Sequence, residues 1–241
     1  MIAETEITTA DNDWEFAPPP DVSHLITEDD TPVDNQFSEK QMRLLTESLH
    51  ASWNPGFPFV AMANVGVYVA LNRAAIVPDV LVTTHVEPLQ EIMSKDHRAY
   101  FSWQYDGKVP EVVIEIVSNK KGGELDTKKH HYAHMGVAWY AVFDPAHYLS
   151  AESLALFALD QRHGLREYRQ QASSGALDGI GLSLTIWEGE FEGITCHWLR
   201  WCDQDGKLIP TGKEGRMAET ARADKLAAKL RELGVDPDSI G

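Results

Sequence analysis

Three ionisable residues stand where a purely structural residue would be costly. Glu115 lies inside "VVIEIV", a run of β-formers with no polar alternation, the pattern of a strand covered on both faces. An unpaired carboxylate in such a place costs several kcal/mol, roughly, or stays protonated. Asp79 follows Pro78 at the mouth of a second apolar run, "DVLVTT". Lys128 stands on a helical stretch just after the Glu115 strand, with Glu124 one turn before it and Tyr132 one turn after. If the Asp79 and Glu115 strands are neighbours in one sheet, their carboxylates converge at its end. Two such oxygen donors, completed by water, are how Mg²⁺ is usually held. A divalent cation there offsets the desolvation of Glu115 and activates a water or polarises a phosphoryl oxygen. Lys128 then positions the attacking water or stabilises charge developing on a phosphate. The chemistry indicated is phosphodiester hydrolysis.

Structural readings of the same residues stand beside this one. An aspartate after proline is common at turns and strand starts. Glu124 and Lys128 at i, i+4 can be a surface pair worth ~0.3–0.5 kcal/mol. A buried Glu–Lys pair would satisfy Glu115 without any metal. Other chemistries are weakly signalled. His130 and His134 could ligate zinc from one helical face, but no HExxH pattern accompanies them, and "KKHHYAH" reads better as an exposed polar face. No Gly-x-Ser-x-Gly elbow and no Gly-rich phosphate loop is present. The aromatic cluster "WEGEFEGITCHWLRW" reads as hairpin and core packing. Cys196 and Cys202 match no zinc spacing and make no disulfide framework, which points to a reducing cytoplasm.

The elements that must position these residues follow from pattern. The chain has 241 residues, 43% of them hydrophobic, enough to bury one substantial core. No apolar run approaches the ~20 residues of a membrane span, and the first residues lack the basic and apolar regions of a secretory signal. Residues 1–35 carry ten acids and no Lys or Arg, which takes −10 of the formal −16 and leaves −6 for the rest. This stretch reads as an acidic disordered tail. The mildly acidic body gives no support for non-specific duplex binding, which needs a basic surface. "FSEKQMRLLTESLHASW" predicts a helix, with Ser38 as cap and Gln41 completing a capping box. "FVAMANVGVYVALN" is strand-rich, and "YFSWQYDGKVPEVVIEIV" reads as a hairpin turning at Asp106-Gly107. Gly122 and Gly123 break the chain before the helix "ELDTKKHHYAHM", which Gly136 ends, and "VAWYAVFDP" is a further buried strand. From about residue 150 short β runs form an extension on the core. Residues 213–235 predict an amphipathic C-terminal helix for docking or self-association, as in a homodimer.

At these residues the sequence resembles the Uma-two family of restriction endonucleases, within the PD-(D/E)XK nuclease superfamily. The resemblance is carried by Pro78-Asp79-Val80, Glu115 to Ser118, Glu124, Lys128, Tyr132, Gly136-Val137, Trp139-Tyr140 and Asp144-Pro145. It implies an α/β restriction-endonuclease-like core of order helix–three strands–helix–strand, spanning residues 36–210 with the β extension. Residues 211–241 would add the charged C-terminal helix. It further implies a DNA endonuclease in which Asp79 and Glu115 bind Mg²⁺ or Mn²⁺ and Lys128 is the catalytic lysine. In the superfamily the lysine commonly follows the strand acid by two residues. Val117 holds that place here, so the lysine must come from the helix. Glu47, on the first helix, is a candidate for an extra carboxylate. The alternative is a catalytically inactive nuclease-fold module that binds or self-associates through its C-terminal helix.

Overall fold

The computed structural model describes residues 20–27, 35–120, 123–162, 165–172 and 175–237. Most of the acidic segment, and Gly122 of the glycine break, lie outside them. Within that segment residues 20–27 are packed: Val22 and Leu25 are buried beside Tyr68 and Phe101, and the Tyr68 hydroxyl donates to the Ile26 carbonyl.

The chain opens with α1 (Gln36–Ser52). Its cap is Asn35, whose side chain accepts the Ser38 N–H, and not Ser38, which lies buried inside the first turn. Asparagine before the helix does the capping work, so Gln41 is free for another task. Its side-chain amide is fully buried and bonds both the N–H and the carbonyl of Leu199, at 2.9 Å each.

Next come β1 (Phe59–Ala63), β2 (Val67–Tyr68), β3 (Val80–Thr84), β4 (Tyr100–Phe101) and β5 (Val112–Ile116). A π-helical turn (Glu124–Lys128) runs into α2 (Lys129–Met135), and β6 (Trp139–Phe143) follows. With β7 (Leu154–Arg162) and β8 (Leu165–Gln171) these give a six-stranded sheet of order β1-β3-β5-β6-β7-β8. Only β5 and β6 pair in parallel, joined by the α2 crossover; the remaining neighbours are antiparallel. Setting aside β2 and β4, the order is the expected helix–three strands–helix–strand.

The hairpin expected at Asp106-Gly107 does not form. The strand before it, β4, pairs with β2 in a separate two-stranded sheet. Residues Ser102–Tyr105 close as a 3₁₀ turn ended by Asp106 in the left-handed region. Both edges of β5 are already taken, by β3 and β6, so no edge is left for β4.

The two faces of the large sheet bury different things. Val112, Ile114 and Ile116 of β5 face Met42, Leu45 and Leu49 of α1. A second sheet covers the same side: β9 (Ala176–Leu177), β10 (Leu182–Phe191) and β11 (Ile194–Cys202), with Leu184, Leu199 and Trp201 in that core. Val113 and Val117 face the other way, with Tyr132, Val137 and Tyr140 around α2. Alternation along β5 therefore places Glu115 on the α2 side. The β10–β11 hairpin turns at Glu192-Gly193, both at positive φ, and buries Trp198 and Trp201.

The C-terminal helix α3 (Gly212–Glu232) starts with a capping box between Thr211 and Glu214, and the buried Arg200 grips the Glu214 carboxylate at 2.7–2.9 Å. The expected C-terminal helix forms and lies uncovered in the single chain: no residue of α3 is buried, and Leu226 is exposed. Leu45→Ala, at a fully buried position of α1, is expected to cost about 3 kcal/mol in urea unfolding. Leu226→Ala, at a side chain 57% exposed, should stay within ~0.5 kcal/mol of wild type.

Candidate active site

The antiparallel register pairs Val80 with Ile114, and continuing it by one residue sets Asp79 opposite Glu115. The two carboxylates are thus cross-strand neighbours at the end of β3, as the sequence requires if they are to converge. Asp79 Oδ2 accepts the Ile116 N–H at 2.6 Å, which ties the mouth of β3 to the last residue of β5.

Glu115 is 1% exposed. Its Oε2 accepts from Lys128 Nζ at 2.8 Å and its Oε1 from the Tyr132 hydroxyl at 2.6 Å. Lys128 reaches it from the end of the π-helical turn, a wide turn of a kind found often at functional sites. Gly123, at φ 67°, starts that turn, and its carbonyl accepts the Lys128 N–H at 3.1 Å. The Tyr140 hydroxyl of β6 donates to the Glu124 carbonyl at 2.7 Å, holding the turn against the sheet. Glu124 itself is 6% exposed: Oε1 lies 3.7 Å from Lys128 Nζ, and Oε2 is buried with no hydrogen-bond partner among the described residues. One ammonium thus serves two buried carboxylates, with Asp79 as a third acid beside Glu115.

Electrostatics follow from this arrangement. Burial, and then the Asp79 charge, push the Glu115 pKa up to about 7 against the pull of Lys128 and Tyr132. Burial works to strip Lys128 of its proton, but Glu115, Glu124 and Asp79 outweigh it and raise its pKa. Lys128 is therefore a fixed cation at neutral pH, 31% exposed at the site's opening. Burial, followed by Glu115, holds Tyr132 neutral as a donor by raising its pKa well above the usual phenol value.

Other expected residues lie elsewhere. Glu47 is on α1, across the sheet, and its Oε1 accepts the Gly212 N–H at 2.8 Å, so it cannot join the cluster. His130 and His134 are exposed, each Nδ1 donating to the carbonyl four residues earlier at 2.8 Å. Asp144 is buried and accepts the N–H groups of Tyr148, Leu149 and Ser150, a loop-capping role. The sequence carried Tyr132 as a spacing after Lys128 and as a position of the family resemblance, without a role, and nothing in it marked the Tyr140 hydroxyl as a support.

Whether these residues suit a divalent metal can be judged from their donors. Among the described residues no three or more His, Cys, Asp or Glu side chains form a cage. Mg²⁺ does not need one, since it usually binds one or two carboxylates and keeps several waters or substrate phosphates. Hard oxygen donors, and a Glu124 oxygen with no hydrogen-bond partner among the described residues, fit such an ion.

A Glu115 pKa raised on folding means the native state holds this proton more tightly than the unfolded chain. Its contribution is complete below about pH 4.5 and is lost as pH rises through about 7. The loss amounts to about 3 kcal/mol, at about 1.4 kcal/mol for each pH unit between the two pKa values. Urea unfolding of wild type and Glu115→Gln in metal-free buffer should therefore differ in wild type's favour least at pH 8 and most at pH 4.5.

No curated protein matches the chain. A family model does: Uma2, described as "Putative restriction endonuclease", matches residues 26–186. The match starts ahead of α1, takes in β1 to β9 with the whole Asp79–Glu115–Lys128 cluster, and ends inside β10. With two thirds of its length matched, and with a helix–three strands–helix–strand core of restriction-endonuclease type, the chain belongs to the Uma2 family.

Proposed function

We propose that this protein is a Mg²⁺- or Mn²⁺-dependent endonuclease that hydrolyses DNA phosphodiester bonds. The observation that carries the proposal is the gathering of Asp79, buried Glu115 and buried Glu124 around the Lys128 ammonium. Asp79 and Glu115 would hold the metal. Bound there, a divalent cation supplies a Lewis acid for a phosphoryl oxygen and lowers the pKa of water.

The protein's own groups divide the remaining work. Lys128 is kept protonated by its carboxylates, so it serves as a positive charge and not as a general base. It steadies negative charge that builds on the phosphate, an effect strong in a site shielded from water. Tyr132 donates to Glu115 Oε1 and holds that carboxylate in one orientation. The Ile116 N–H does the same for Asp79.

One observation favours a second reading. A helix of 21 residues that buries none of them is built to meet something else, so a module acting through α3 without nuclease chemistry is the alternative. Calorimetric titration with Mn²⁺ separates the two, because heat that disappears in Asp79→Ala and Glu115→Ala belongs to the metal site.

Wild-type protein with Mg²⁺ or Mn²⁺ should cut or nick plasmid DNA, and EDTA should stop it. Glu115→Ala should abolish cutting, and Lys128→Met should slow it by about 10²–10³-fold, the range for removing one preorganised charge-stabilising donor. No cleavage of duplex, single-stranded or RNA substrates would sink the enzymatic claim.

A further inference from the structure

A chain of formal charge −16 needs a local basic surface if it is to hold a polyanion. One lies on the flank of α2 that turns away from Glu115. Between α2 and β8 runs a groove of about 420 Å³, walled by Lys129, His130 and His134 on the helix and Arg166, Glu167 and Tyr168 on the strand. It holds two fixed cations and two histidines against one carboxylate.

Neither cation is ion-paired with a carboxylate among the described residues. Lys129 Nζ lies 4.0 Å from the centre of the Phe157 ring, and burial lowers its pKa. Among the described residues no carboxylate lies within 4.0 Å of the charged nitrogens of Lys129 or Arg166, although the neighbouring Arg169 is paired with Asp160. Arg166 is held by one bond, Nη1 to the His134 carbonyl at 2.8 Å, at the C-terminal end of α2. Gly136 makes that seat possible, because a Cβ there would stand 3.2 Å from Nη1. The guanidinium carries five donors, so most of its capacity is left for a ligand.

Position argues for a phosphate chain. Lys128 and Lys129 are adjacent in sequence, about 100° apart around the helix, and serve different places, Lys128 the carboxylate cluster and Lys129 the groove. Their partners, Glu115 on β5 and Phe157 on β7, stand two strand spacings apart in the sheet, ~10 Å. A nucleic-acid strand advances about 3.4 Å per nucleotide, so that gap spans about three phosphates. We propose that the α2–β8 groove is the track that grips the DNA backbone a few nucleotides from the bond to be cut, with Lys129 and Arg166 as its phosphate contacts. The proposal rests on the nuclease reading for the identity of the polyanion.

Fluorescence anisotropy of a labelled duplex, in EDTA and across a salt series, tests it on the full chain. Relative to wild type, Lys129→Ala/Arg166→Ala should bind about tenfold or more weakly. Its slope of log affinity against log salt should be shallower by about 0.9 for each lost contact. Lys207→Ala, at the distant turn after β11, should change neither. Should the double variant fail a thermal-melt check of folding, Lys129→Gln and Arg166→Gln singly read the same slopes. A folded double variant with wild-type affinity and slope overturns the groove, as does a wild type that binds no duplex. Cleavage measured in parallel with Mn²⁺ separates the two ideas. Cutting with an unchanged slope removes the groove alone, and groove-dependent binding without cutting keeps the groove and removes the nuclease reading.

Discussion

The Glu115 carboxylate lies between two strands and under a helix, and a charge taken that far out of water costs several kcal/mol unless it is met. Much of the local architecture can be traced to meeting it. Lys128 must arrive from the turn that leads into α2, because Val117, just past β5, stands where a strand lysine would have stood. The π-helical turn delivers that lysine, and the Tyr140 hydroxyl holds the turn in place. Tyr132, one turn further, closes the remaining oxygen. Removing either donor would leave a buried anion short of a partner, a far larger penalty than losing one exposed ion pair.

The sheet separates stability from chemistry by face. The α1 side is mostly apolar, with leucines of α1 and the second sheet packed with Trp139 and Trp201, and the buried Gln41 amide bonded to Leu199. The α2 side mixes valines with the hydroxyls and charges of the site. Period-two alternation is what allows neighbouring residues of β5 to belong to these different environments. Ile114 and Ile116 anchor the strand on one side so that Glu115 can be held on the other.

How much of this the sequence revealed depends on whether the signal was local. A charge in an apolar run is visible as an identity, so Asp79 and Glu115 could be singled out, and the spacing from Glu124 to Tyr132 placed three groups along one helix. Pairing is a different matter. A turn dipeptide such as Asp106-Gly107 says that the chain reverses, but β5 chooses β3 and β6 as neighbours through contacts no short window contains. Glu47 looked as available as Glu124, since the face of the sheet on which a helix lands is decided by tertiary packing. The C-terminal leucines suggested an amphipathic docking helix, and α3 is joined to the body at its first turn, where Arg200 and Glu214 fix it.

Gln41 carries a consequence of another kind. Its amide is satisfied by Leu199, 158 residues later in the chain. During synthesis the first helix is therefore complete long before the strand that neutralises its buried polar group exists. Until β11 arrives, that amide must stay wet or unpaired, and the leucines beside it cannot be sealed. An element that emerges well before β11 thus waits for it, which sets closure of the first core by a contact of long sequence separation and favours slow, late consolidation. The family match stops at residue 186, short of this contact. In this chain, then, the matched core and the segment beyond it share buried hydrogen bonds and packing, whatever the boundary drawn by likeness.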